Sequence, residues 1–356
     1  MFRSASLVAC CVAFPVLSKV LERAPGLLHN PNSKLSSRLK QVKRIGHRGC
    51  TQEGIPENSM AAFQHAVDQN VCCIELDVRL TADNRVVIFH DGTLSRMTNG
   101  KTSKSIEEMK FKDLPALEPS DLEQQSDEGR RGSHRIPLFS EVLVLLDKHP
   151  HLTMIVEFKE DNDELIRLVH GLIQPYAHER IVWFSLKTQI NNKLRRYDPT
   201  IPTIVSAVET LQYVFFYYLG LIPFMSMPFC VFGITLQEIP LSRLRNEASL
   251  KDIPDPIKRA LAWLLAGCPP WMFACPGLFQ HLQSRGYPVW FLGVNEERHI
   301  EASLTLGANA VLTDRPRWLD NAHNDGHLQL KGMQSTTGLT GGKGKGLRQD
   351  DGDHQA

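Results

Sequence analysis

Short apolar runs recur along the chain at intervals that helical segments fill. Strands are expected at Lys43–His47, Val71–Val78 with a hairpin return Val86–His90, Thr153–Phe158, Arg180–Ser185, Pro202–Ser206, Val231–Leu236, Pro288–Val294 and Asn309–Thr313. Helical periodicity marks Glu57–Gln69, Leu138–Lys148, Asn162–Ile173, Lys187–Arg196, Asp255–Leu265, Met272–Arg285 and Glu296–Leu306. Alternation of this kind implies a parallel sheet. Eight parallel strands over roughly 275 residues suit an α/β fold of the TIM (β/α)8 barrel type, whose active sites lie at the C-terminal ends of the strands. A doubly wound open sheet is the rival that strand counting leaves open.

The most informative stretch is V-C-C-I-E-L-D-V-R-L-T-A-D-N-R-V-V-I-F-H-D, Val71 to Asp91. Ile74, Leu76, Val78 and Leu80 alternate with Glu75, Asp77, Arg79 and Thr81, so the strand has an apolar face and a polar face that carries both acids. Asp83-Asn84 reads as a two-residue hairpin loop, which would set Asp77 opposite His90. Carboxylates crowded on one small surface raise each other's pKa, and a divalent cation would relieve the repulsion. For an isolated E-x-D pair the plain alternative is a solvated face with salt-bridged acids.

Three regions break the rhythm. Residues 91–137 form an insertion whose later part is polar and expected to be mobile. Leu211–Leu236 carries no charge and is dense in aromatics, from Tyr213 and Phe215 to Phe229 and Phe232. Pro223 and Pro228 interrupt it, and strands lie on both sides, so it is expected as an insertion that lies on a membrane surface or roofs a lipid-binding groove. At the N-terminus, Ala5–Leu21 is apolar but short for a bilayer span, which needs about 20 residues. It is expected to be an uncleaved hydrophobic anchor (1–24), followed by a linker (25–41), the barrel (42–319) and a disordered tail (320–356). Lys19, Arg23, Lys34, Arg38 and Lys40 follow the anchor while only Arg3 precedes it. The positive-inside rule then places the body in the cytosol, on an intracellular membrane.

Composition narrows the partners. The net charge of +1 leaves no global field for nucleic acid. An apolar content of 42% is ample for a core. The eight cysteines show neither CxxC pairs nor a disulfide framework, so reduced thiols are expected.

On a barrel, His47 and Arg48 end the first strand, Glu75 and Asp77 the second, and Glu157 with Lys159 the third. Glu75, Asp77 and Glu157 can converge as hard oxygen ligands for Mg²⁺ or Ca²⁺. His47 and His90 flank them as candidate general acid and base. Arg48 and Lys159 add positive charge that can grip phosphate oxygens. Together these groups describe phosphoryl-ester hydrolysis.

H-R-G at 47–49, P-E-N-S at 56–59, E-L-D at 75–77, His90-Asp91, V-E-F-K at 156–159, V-N at 294–295 and T-D-R-P at 313–316 stand in the order seen in the glycerophosphodiester phosphodiesterase family, which the span Val42–Trp318 resembles. The resemblance implies a TIM barrel that hydrolyses glycerophosphodiesters with a divalent metal held by Glu75, Asp77 and Glu157. It also implies His47 and His90 as the acid-base pair and Arg48 and Lys159 as phosphate contacts. Glu57 and Asn58 match the segment that supports the site, and Asp91 is placed to orient His90 or to open the insertion. The runs Y-Y-L-G-L-I-P-F at 217–224 and V-W-F-L-G-V-N-E-E at 289–297 look like the membrane-bound members that act as lysophospholipase D. The expected substrate is therefore a lysophospholipid, cleaved to lysophosphatidic acid and a free head group; the alternatives are a soluble glycerophosphodiester or a catalytically silent lipid-binding role. Leu292 departs from the family, which has Trp there, and Trp290 and Phe291 are the candidates to replace it.

Overall fold

The computed structural model describes residues 2–51, 55–117, 134–235 and 273–316, with side chains from Ala13 onward. The strands are β1 (Arg44–Gly46), β2 (Cys73–Leu80), β3 (Val86–Ile88), β4 (Ala116–Leu117), β5 (His134–Arg135), β6 (Thr153–Phe158), β7 (Ile181–Phe184), β8 (Phe232–Ile234), β9 (Val289–Phe291) and β10 (Ala310–Thr313). Parallel pairing runs β7-β6-β2-β1-β10-β9-β8. Two isolated parallel bridges, Trp183 with Thr203 and Ile204 with Val231, tie the ends of that path together. Residues 203–204 thus act as a stave two residues wide, and the expected parallel barrel is what forms.

Helices clothe the outside, and those of the barrel units follow their strands as the alternation requires. Asn162 caps Asp163–Ile173 by accepting from the backbone N–H of Glu164 and Leu165, and Ser59 caps Met60–Asp68 by accepting from Ala62. The latter helix starts three residues later than expected, because Pro56, Glu57 and Asn58 form a turn in which Asn58 takes φ +56°. Ile74, Leu76 and Val78 pack outward in one cluster with Phe63 and Ile166 of these helices and Val142 of the helix Phe139–Lys148. On the opposite face of the strands, Ile45, Cys73, Ile155, Val182, Ile204 and Phe232 share a second cluster that fills the barrel. The polar positions of β2 belong to this inner face.

The hairpin differs from expectation by one register step. Val78 pairs with Ile88 and Leu80 with Val86, and the loop has three residues, with Asn84 left-handed at φ +57° and Thr81 N–H donating to Arg85 at 3.0 Å. An asparagine that tolerates positive φ closes this longer turn as readily as the shorter one. Asp77 accordingly faces Phe89, whose N–H donates to the Asp77 carbonyl at 2.9 Å, and His90 lies beyond the ladder.

The early part of the insertion builds its own small core, with Leu94, Met97, Ile106, Leu117 and Ile136 packed on Val87 and Phe89. Its later part, the helix expected at Asp255–Leu265 and the tail lie outside the described residues. The charge-free stretch is not an insertion in its first half. Ala207–Tyr218 is the barrel helix after the two-residue stave, started by a capping box of Ser206 and Glu209. Its remainder runs to the N-terminal end of β8, where Arg285 donates to the Met225 carbonyl (2.9 Å) and Asn32 to that of Cys230 (3.4 Å). That is the foot of the barrel. A segment at the foot cannot roof a groove at the mouth, so this expectation is overturned.

The span 25–41 is packed against the same foot, with Leu35 and Leu39 buried. The helix Phe2–Arg23 precedes it; no helix among the described residues is long and apolar enough to cross a membrane.

Candidate active site

Parallel register assembles the site. Gly46 pairs with Ile74, which brings His47 level with Glu75, and Asp77 pairs with Glu157 on β6. Oxygen atoms of Glu75, Asp77 and Glu157 all lie within 4.8 Å of one another, and the three residues are buried. The turn after β1 admits this approach because Arg48 and Gly49 are both left-handed, at φ +49° and +86°. A Cβ on Gly49 would stand 2.7 Å from Ala62, so only glycine fits there.

Cations and amides hold the acids. Asn58 Nδ2 donates to Asp77 Oδ2 at 2.7 Å. Lys159 Nζ lies 2.9 Å from Asp77 Oδ1 and 2.8 Å from Glu157 Oε1, bridging the pair. Arg48 donates its backbone N–H to Glu75 Oε2 (2.9 Å) and its Nη1 to Glu57 (2.9 Å), with Nε 3.5 Å from Asp77. Glu75 Oε1 is left buried without a hydrogen-bond partner.

The charges divide unevenly. Burial raises the pKa of Glu75, and Asp77 and Glu157 push it further than His47 and Lys159 can pull it back. Burial also opposes ionisation of Asp77, but Lys159, Arg48 and His90 outweigh it and hold that carboxyl below its usual range. Ionising Glu75 beside its neighbours is thus disfavoured, a cost that a further cation in the cluster would relieve. Hard oxygen donors, a small separation and an orphaned buried oxygen fit a divalent metal ion.

Two histidine arms frame the acids, each partly exposed at the mouth. His47 Nδ1 donates to Asp314 Oδ1 at 2.8 Å. Burial works against the imidazolium, yet Asp314 and Glu75 raise the His47 pKa above its ordinary value. Asp314 is fixed by Asn295, whose Nδ2 donates to Oδ2 and whose Oδ1 accepts from the Asp314 N–H at 2.8 Å. His90 Nδ1 donates to Asp91 Oδ1 at 2.7 Å. Arg96 donates through Nε to Asp91 Oδ2 at 2.7 Å and through both Nη atoms to Glu57.

The structure thus brings together His47, Arg48, Glu57, Asn58, Glu75, Asp77, His90, Glu157 and Lys159, all named from sequence. Asp314, Asn295 and Arg96 are additions. The V-N and T-D-R-P runs marked the first two without giving them a role, and nothing local marked Arg96. Trp290 and Phe291 are fully buried in the barrel wall, so neither stands in at the mouth for the tryptophan that Leu292 replaces.

The model of the glycerophosphoryl diester phosphodiesterase family matches residues 47–317. Human lysophospholipase D GDPD3 is 32% identical over 316 residues, covering 87% of this chain and 93% of that protein. Human lysophospholipase D GDPD1 is 32% identical over 327 residues, 89% of this chain and 96% of that protein. Among solved structures, a phosphodiesterase from Oleispira antarctica in complex with the product sn-glycerol-3-phosphate superposes with a TM-score of 0.54 at 19% identity, over 80% of this chain and 97% of that one. A glycerophosphodiester phosphodiesterase from Agrobacterium tumefaciens gives a TM-score of 0.55 at 17% identity, over 79% and 99%. At these identities the likeness is one of fold.

Proposed function

The chain belongs to the glycerophosphoryl diester phosphodiesterase family, whose members are phosphoric diester hydrolases, and from that premise we propose that it cleaves lysophospholipids as a lysophospholipase D. One observation carries the catalytic part: a buried group of Glu75, Asp77 and Glu157, with an unpartnered Glu75 oxygen, lies between two histidine–aspartate pairs.

In this reading Glu75, Asp77 and Glu157 hold one Mg²⁺ or Ca²⁺. Bound there, the ion supplies fixed positive charge beside the phosphodiester. Arg48 and Lys159 extend that charge toward the phosphate oxygens. One of His47 and His90 takes the proton of the attacking hydroxyl, and the other returns one to the departing head-group alcohol. Asp314 and Asp91 fix which ring nitrogen faces the substrate, because each engages Nδ1 and leaves Nε2 for the mouth. Glu57 and Asn58 brace Arg48 and Asp77.

Substrate choice leans on the two human relatives, which are named for lysophospholipase D activity. A soluble glycerophosphodiester is the second reading, favoured by the position of the aromatic stretch at the foot, where it offers no acyl groove beside the phosphate. The protein is further proposed to associate with an intracellular membrane, its barrel on the cytosolic side.

The deciding measurement is kcat/KM on lysophosphatidylcholine against glycerophosphocholine, each with and without EDTA. Preference for the acylated substrate and loss of both activities in EDTA are expected. Equal or reversed preference would overturn the lysophospholipid reading, and activity that survives EDTA would overturn the metal site.

A further inference from the structure

Large apolar side chains exposed to solvent are not scattered over this protein. Of the fourteen among the described residues, ten fall in two segments, 14–28 and 215–224. These segments pack on each other: the Phe14 ring stacks on Phe224 at 5.8 Å, Ser18 Oγ donates to the Gly220 carbonyl at 2.6 Å, and His29 Nε2 donates to that of Pro223 at 2.7 Å. Each closes off part of the other, yet Leu17, Phe215 and Leu219 remain outward. Monomeric surfaces rarely gather so much apolar area without a partner.

Strand direction fixes where this patch sits. The helix Ala207–Tyr218 leaves the mouth end of stave 203–204 and descends, and Ile222–Phe224 lies ahead of the N-terminal end of β8. Arg285, which precedes β9, donates to carbonyls of Ile222 and Met225. The patch is therefore on the foot, a barrel's height from the carboxylates.

We propose that this foot is a docking surface for a lipid bilayer and that it holds the catalytic mouth toward the aqueous phase. The choice of partner rests on the membrane association proposed above; the face and the orientation go beyond it. The exposed charge beside the patch is basic, which complements an anionic bilayer surface. Lys19 and Arg23 are exposed on the same helix, and the neighbouring acid, Glu22, is paired with Lys19 at 2.7 Å and mostly covered. The helix also continues past the patch for another dozen residues, and its sequence from Ser4 to Ser18 holds no charged side chain. An uncharged helical run followed by exposed basic residues, with Tyr218 and Phe224 at its side, gives an apolar surface for the bilayer with cations and aromatic rings at headgroup level. With the foot docked, a lysophospholipid reaches the mouth from water as a monomer.

The test is co-sedimentation of the full chain with vesicles of phosphatidylcholine containing phosphatidylserine. Binding by the wild type is expected, with partitioning reduced at least about tenfold in Phe14→Asp/Phe224→Asp and in the milder Phe215→Ser/Leu219→Ser. Turnover of water-soluble glycerophosphocholine should stay within about twofold in both, which also shows that they fold. Leu186→Asp, an exposed position beside the mouth, should bind vesicles like the wild type. Failure of the wild type to sediment would remove the membrane reading altogether. Release by Leu186→Asp with retention by the foot variants would place the contact at the mouth and overturn the proposal alone. A vesicle-free dimer that the foot variants split would make a second copy the occupant, and would overturn it too.

Discussion

His47 and Asp314 stand 267 residues apart in the chain and 2.8 Å apart in the fold, the first at the end of β1 and the second at the end of β10. The two strands are neighbours in the barrel, so the last βα unit orients the histidine of the first. Asp314→Asn keeps the shape and removes the charge that raises the His47 pKa. Loss of kcat on the order of 10²-fold or more is expected. The limb of the pH–rate profile that belongs to His47 should move to lower pH, because the carboxylate no longer favours the imidazolium. An unmoved profile would show that Asp314 does not act through His47.

Proton linkage at the acidic cluster gives a second expectation. Without metal, Glu75 keeps its proton to higher pH in the folded chain than in the unfolded one, since burial and its two neighbouring acids oppose its charge. Between the ordinary carboxylate range and that raised value the folded state binds more protons. Stability then falls as pH rises, by up to about 1.4 kcal/mol per unit for one group. His47, also raised, contributes stability that is full below its ordinary pKa and is lost as pH climbs through the folded one. Asp77, Asp91 and Asp314 are lowered and act in the opposite sense only in acid. In EDTA, the part of the Tm decline between about pH 5 and about pH 8 that Glu75 causes should be missing in Glu75→Gln, while His281, lowered by burial, acts in the opposite sense below its ordinary value in both proteins. Mg²⁺ or Ca²⁺ should restore more stability at the higher pH, where it displaces no proton. The same pH dependence of Tm in wild type and Glu75→Gln would contradict the role given to Glu75, and equal rescue at both ends would contradict the proposed occupancy.

Much of this site was legible because neighbouring parallel strands carry it. The alternation at Val71–Leu80 exposed the shared face of Glu75 and Asp77, and Thr153–Phe158 was bounded as observed. Consecutive staves then had to bring Glu157 alongside. What stayed hidden depends on geometry that residue type does not specify. Asn84 can close a two-residue or a three-residue loop, and the choice moved the partner of Asp77 from His90 to Phe89. The charge-free stretch looked like an insertion because aromatics mask helical periodicity, although Ser206 and Glu209 had the spacing of a capping box. Its place at the foot follows from strand direction, not from its composition.

Gly49 offers a test of the turn that admits the acids. Its φ of +86° and the 2.7 Å approach to Ala62 both exclude a side chain. Gly49→Ala should lower stability by about 1–3 kcal/mol through backbone strain, seen as a lower Tm, and should displace the backbone N–H of Arg48 from Glu75. Metal affinity, measured by calorimetry, should fall along with it. Unchanged Tm would mean that the turn relaxes at no cost.

Arg96 is the residue whose role the fold reveals and the sequence does not. It reaches from a 3₁₀ turn after β3 and joins two acids with different clients: Asp91, which orients His90, and Glu57, which holds Arg48. Its side chain is 48% exposed, so its ion pairs add little to global stability. Their effect falls on the placement of two groups at the mouth. Arg96→Ala should leave Tm nearly unchanged while kcat falls about 10- to 100-fold, the usual cost of losing a group that orients site residues. Arg96→Lys should recover only part of the loss, because an ammonium cannot engage Asp91 and Glu57 with the planar fork of a guanidinium. Glu57→Gln in the Arg96→Ala background should cost less than the sum of the two single losses, since both act on Arg48. Additive losses would mean that Arg96 works through Asp91 and His90 alone.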